Sequence, residues 1–215
     1  MPAPSRPTTA RPFTARHVQL SRAVLAAVAA IMITFSPDHS AAVGLSVFGG
    51  FAIVTAFVLI LAAILVHPNG RRWPAVMMGG FTLVLGMAAS VPVWRSDTLF
   101  FVLVIIWAAL TGLVELIAGI RFRGSEGARD AITVGGLGLL LALLLLVVPV
   151  DLVQQYTVDG TVFELTGIVV GVGLFGGYAA IVAVFLGIAG ITPGAKKHVE
   201  SDAGGDRLAD HGGYA

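Results

Sequence analysis

The chain contains no cysteine. That absence removes disulfides, thiolate metal sites and cysteine nucleophiles, and it leaves the redox compartment unmarked. Charge is scarce too. Charged residues make up 12% of the 215 positions, against about a quarter in soluble domains. Lysine is nearly missing, with two residues against eleven arginines, a bias that fits a GC-rich bacterial genome. Net charge is +1 and no basic patch is present, which excludes nucleic acid as an expected partner. Walker loops, GxSxG, kinase and zinc signatures are all absent, as are HxxxH and HExxH spacings. The expectation is a protein that is not an enzyme, with no catalytic residues, no cofactor and no metal.

What is present is apolar. Hydrophobic residues reach 57% and mean hydropathy is +0.93. A helical span needs about 20 apolar residues. Six segments qualify, near 18–35, 42–66, 74–93, 98–120, 131–150 and 163–192. The gaps between them alternate in charge. Arg6, Arg11, Arg16 and Arg22 precede the first segment, and Arg71 and Arg72 follow the second. Arg121, Arg123 and Arg129 follow the fourth, and Lys196, Lys197 and Arg207 follow the sixth. Only Arg95 falls in the other gaps. Basic residues near spans stay in the cytoplasm. The alternation predicts six spans with both termini inside, inner gaps at 67–73 and 121–130, and outer gaps at 36–41, 94–97 and 151–162. Residues 1–16 and 193–215 read as disordered cytoplasmic tails flanking a membrane domain at 17–192.

An internal repeat organises the domain. Thr55–Ile64 matches Thr111–Ile120 at an offset of 56, which also superposes Gly79-Gly80 on Gly135-Gly136. Pro92-Val93 and Pro149-Val150 agree within one residue, and Ile188–Ile191 echoes Ile117–Ile120. The expected fold class is an all-α integral membrane protein, its six transmembrane helices built from three sequential helical hairpins. Parallel repeats of this kind are common in membrane proteins.

Glu115 is the one acid in the interior of a span, Glu164 lying at the outer edge of the sixth, and such interior residues are functional candidates by default. Ala108, Thr111, Gly112, Ala118 and Gly119 share its helix face and are all small. Small faces mark close helix packing, so Glu115 is expected to point into the bundle. Its expected partners are Arg121, Arg123, Arg22 or a polar group on another helix. Glu115, Thr111, Arg121 and Arg123 form the candidate buried polar site. Gly112, Gly119, Gly167, Gly171, Gly173 and Gly177 are candidate helix-packing positions, within one chain or between copies. Asp38, His39, Asp97, Asp151, Asp159 and Glu164 lie on the outer side, where titration near pH 4 to about 6.5 can respond to acid. Short polar loops carry Asp without such a role. His67, His198 and His211 fall in an inner turn and a tail. Trp73 and Trp94 bracket the third segment as interfacial anchors do.

The segment Trp107–Arg123 resembles the repeat signature of the HdeD family, with Trp107, Gly112, Glu115, Ala118, Arg121 and Arg123 in the characteristic places. The likeness is sharpest over 100–150; both tails and the longer 151–162 loop fall outside it. The resemblance implies a multi-pass protein of the bacterial inner membrane, linked to acid or envelope stress. It defines no mechanism; taken with the small-residue helix faces and the shortage of buried polar groups, it favours action by association with lipid, with a partner or with further copies of itself. It carries no catalytic residue over. The alternative is a small transporter or channel for protons or a small hydrophobic solute.

Overall fold

Helix starts and stops follow the polar gaps. In the computed structural model, described over residues 14–66, 72–125, 127–158 and 161–192, six α-helices account for most of the chain. They are α1 (Ala15–Thr34), α2 (Ala41–Leu65), α3 (Trp73–Ala89), α4 (Asp97–Arg121), α5 (Ala128–Val147) and α6 (Gly167–Ile191). Ser96 caps α4 by accepting from the Leu99 N–H at 3.1 Å, with Asp97 in the first turn and Arg121 in the last. Those charges complement the helix dipole. Pro74 opens α3, where its missing N–H leaves no gap. Gly124 and Gly127 take φ of 86° and 81°, which lets the short turn between α4 and α5 close.

Five helices are long and apolar enough to cross a membrane: α1, α2, α4, α5 and α6. Helix α3, 17 residues long, falls just short, and its segment runs on through a 3₁₀ turn at Pro92–Trp94. Residues such as Val24, Phe57, Val84, Leu143 and Val184 face outwards, more than half exposed, while the interior is rich in Ala and Gly. Helices apolar on every side suit a bilayer rather than water.

The helices form a closed ring in chain order, α1 to α6, with α6 returning to α1. Helices α2, α4 and α6 also touch one another at the centre. The sequential-hairpin expectation pairs α1 with α2, α3 with α4 and α5 with α6. The most extensive pairings are instead α2 with α3, α4 with α5, and α1 with α6. Missing side chains explain this. A Cβ on Gly135 would lie 2.7 Å from both the Gly112 carbonyl and the Leu116 nitrogen. A Cβ on Gly79 would meet the Ala56 carbonyl and the Ile60 nitrogen at 3.4 and 3.6 Å. Each partner of Gly79 sits 56 positions before the corresponding partner of Gly135. In the third pair Gly190 receives Leu20 and Gly176 receives Ile33.

Matching side chains also stack through the centre. Phe48, Val104 and Phe175 are fully buried, as are Ala52, Ala108 and Ala179. Phe51, Trp107 and Tyr178 form the next set, with Trp107 edge-on to both neighbours at ring centroids of 5.7 and 5.9 Å. Successive members of every set are 56 and 71 positions apart.

One part of the fold is not helical. The expected outer gap 151–162 and the start of the sixth segment form an antiparallel hairpin, β1 (Val153–Val158) with β2 (Thr161–Thr166). Tyr156 pairs with Phe163, their rings stacked at 5.7 Å. Helix α6 therefore begins at Gly167 rather than 163, and one β-hairpin is added to an otherwise helical membrane-type fold. Helix α1 begins at Ala15, so the last two positions assigned to the N-terminal tail are helical. The remainder of both tails, with Arg6, Arg11, Lys196, Lys197, Arg207, His198 and His211, lies outside the described residues, as do His67, Arg71 and Asp159.

Candidate functional site

Three polar residues at three-residue intervals on α1 tie it to three other helices. Arg16 donates from Nε to the Gly190 carbonyl at 3.0 Å and from Nη2 to the Ile191 carbonyl at 3.2 Å, at the end of α6. A cation there satisfies free carbonyls and the negative end of the helix dipole. Gln19 donates to the Asp130 carboxylate on α5 at 2.8 Å. Arg22 donates from Nη2 to Glu115 Oε1 on α4 at 2.6 Å. With Leu20 seated over Gly190, the register of α1 is fixed and Arg22 is aimed at the bundle centre.

The Arg22 and Glu115 side chains are 20% and 8% exposed. They meet through this one contact, and among the described residues neither makes a second side-chain bond. Their surroundings are alkyl. Leu59 and Leu186 are buried at the positions matching Glu115 on α2 and α6. Met78 and Val134 are buried at those matching Arg22 on α3 and α5. Alkyl side chains thus stand at the matching positions on the other four helices. Removing either charge strands the other, at a cost of about 3–5 kcal/mol for a buried pair.

The pair forms the floor of a half-open cavity of about 450 Å³ at the end of the bundle where α1 begins and α6 ends. Val18, Ala62, Ala75, Ala118 and Ala131 wall it, and Ser125 and Phe122 stand near its mouth. On the other side of the pair is a void of about 20 Å³, lined by Thr55, Thr82, Thr111, Trp107 and Tyr178. Trp107 Nε1 donates to Thr82 Oγ1 at 3.2 Å, and Thr111 donates to its own helix at the Trp107 carbonyl, 2.6 Å away. Thr55 Oγ1 is buried without a partner. Beyond this void the buried rings of Phe48, Phe100 and Phe175 close the bundle.

Glu115 and Thr111 lie in the expected buried site. Arg121 and Arg123 do not: both are exposed at or past the end of α4. Six residues along a helix turn the side chain about 240°, so Arg121 faces away from Glu115. Arg22 was only one of several expected partners, and Arg16 and Gln19 were not singled out. The signal was their three-residue spacing. Of the packing glycines, Gly112 meets Gly135 and Leu139, and Gly119 meets Ala128 and Ile132. Gly167 lies against the Pro149 and Val150 carbonyls, and Gly171 against Phe100 and Phe101. Gly173 and Gly177 pack against no helix of the chain among the described residues, which leaves contact between copies untested. Nothing lies within 4 Å of either position, and both face an apolar groove of about 370 Å³ between α5 and α6. Asp38 accepts from the Ser40 backbone and hydroxyl, both at 2.8 Å, so it shapes the turn before α2.

The fold and site together define a multi-helix protein of membrane-spanning composition with, among the described residues, one buried charge pair. No protein-family model matches the chain, and no curated protein or solved structure matches it.

Proposed function

We propose that this chain is a six-span protein of the bacterial plasma membrane, of the HdeD type, with both termini in the cytoplasm. It serves acid or envelope stress resistance by binding rather than by catalysis. Helix α3 is the sixth span: about 26 Å long at 1.5 Å per residue, it packs between α2 and α4. The three units are the pairs α2–α3, α4–α5 and α6–α1. The matching Gly79 and Gly135 contacts and the stacked sets of side chains support that reading.

The observation that carries the functional reading is the cavity floored by Arg22 and Glu115. In this orientation it opens to the cytoplasm, while aromatic rings close the outer half. A blind, half-open cavity suits holding a ligand or partner. A cell lacking the protein should survive an acid challenge less well. Wild type should restore survival, and Glu115→Gln at equal membrane abundance should restore it only in part. Full restoration by Glu115→Gln would refute a working role for the pair.

A second reading, a small transporter, has one specific observation behind it. The void lined by threonines lies directly beyond the charge pair, in line with the cavity. Opening the pair would join the two.

A further inference from the structure

The charge pair is under-used as a hydrogen-bonding group. A guanidinium carries five N–H donors and a carboxylate offers two acceptor oxygens. Only Arg22 Nη2 and Glu115 Oε1 are engaged, with each other. Glu115 Oε2 and the other Arg22 nitrogens have no partner among the described residues, although Glu115 is 94% buried, being 6% exposed. Both side chains line the 450 Å³ cavity. These atoms are accessible from the cavity, so a ligand that enters it can bond to them directly.

We propose that the cavity binds an uncharged amphiphile whose head group carries a donor and an acceptor side by side, such as a primary amide or an un-ionised carboxylic acid. The proposal deepens the binding role given above and rests on it. The head donates to Glu115 Oε2 and accepts from Arg22, so the pair stays intact and its spare capacity is used. A charged head fits badly. An anion meets Glu115 as well as Arg22, a cation meets Arg22 as well as Glu115, and either adds net charge between alkyl walls. The walls specify the rest of the ligand. Val18, Leu59, Met78, Val134 and Leu186 offer apolar contact, and Gln19, Asp130 and Ser125 are the polar lining nearer the mouth. Cavities that bury small ligands run from about 300 to 1,000 Å³ and combine apolar walls with a few convergent polar groups. From Phe122 to Glu115 the depth is about 10 Å at 1.5 Å per residue, enough for a medium alkyl chain.

The test uses the full chain in lipid nanodiscs and titrates octanamide, with octanoate and octylammonium at pH 7.5 as charged comparators. Binding is read from thermal unfolding and tryptophan fluorescence. Octanamide should bind saturably and at least tenfold more tightly than either ion. The double variant R22M/E115L carries the residue types of Met78 and of Leu59 and Leu186, which are buried at matching positions on α3, α2 and α6, so it should fold and bind octanamide at least tenfold more weakly. It also measures simple partition into lipid. Ala131→Leu narrows the cavity and leaves the pair untouched. It should weaken octanamide binding too. Equal octanamide response by wild type and both variants, tighter binding of either ion, or no saturable binding would overturn the proposal. A negative result would leave the orientation and stress reading standing, since those are tested in cells. A failed orientation would leave the binding result standing.

Discussion

At the residue scale, buried polar atoms decide which substitutions matter. Trp107 Nε1 has Thr82 Oγ1 as its one partner, at 3.2 Å. Thr82→Val keeps the shape and strands the indole N–H, so it should cost about 1–3 kcal/mol. Thr111 donates to its own helix backbone, so Thr111→Val should cost less than Thr82→Val. Thermal unfolding of the two variants in the same detergent checks that order, and equal losses would contradict it. Thr55 is a sharper case. Its hydroxyl is unpaired beside a void of about 20 Å³, which exceeds the 10–15 Å³ or so one water needs. A water held there should make Thr55→Val destabilising by about 1 kcal/mol. A dry void would make the same change neutral or stabilising. Glu115 was legible at this scale because one acid in an apolar run stands out. Its partner was not. Arg22 lies 93 positions away on a helix whose register depends on Gly190 and Arg16. No local pattern encodes that contact.

At the element scale, pairs of adjacent glycines separate packing from composition. Gly135 lies against the α4 backbone, while its neighbour Gly136 has nothing within 4 Å. Gly135→Val should break the α4–α5 contact and lower the folded yield. Gly136→Ala should be neutral or add up to about 1 kcal/mol through helix propensity. Equal effects in an unfolding assay would contradict this packing. The glycines of α6 show why sequence alone does not separate contacts within the chain from open positions. Glycines occur on several faces of that helix, so four-residue spacing picks out Gly173 and Gly177 as readily as Gly167 and Gly171. Only the ring order shows that Phe101 and Ile33 fill one side, at Gly171 and Gly176, while the other lies open. The β-hairpin was legible and passed over. Asp159-Gly160 between two runs rich in β-branched and aromatic residues is a strong hairpin signal. The apolar run that continues from 163 into α6 hides it, because β2 and the helix share one hydrophobic stretch.

At the scale of the whole molecule, charge alternation and the repeat made six apolar segments and their order readable, and the helices lie where those segments do. The circular pairing was not readable, because a repeat fixes which residues correspond and leaves open which neighbour each helix grips. Orientation is tested by labelling. Cysteines placed at Gly70 and Ser125 should react only from the inner side of intact cells, and one at Ser96 from the outer side. Reaction of Gly70 or Ser125 from outside would reverse the topology. The central claim is that Arg22 and Glu115 form a coupled, largely buried charge pair set among alkyl side chains. A double-mutant cycle on unfolding free energy tests it most directly, using Arg22→Met, Glu115→Leu and the two together. Each single change strands a buried charge and should cost about 3–5 kcal/mol, whereas the double should recover to within about 1 kcal/mol of wild type. Additive losses, with the double less stable than either single, would contradict the account.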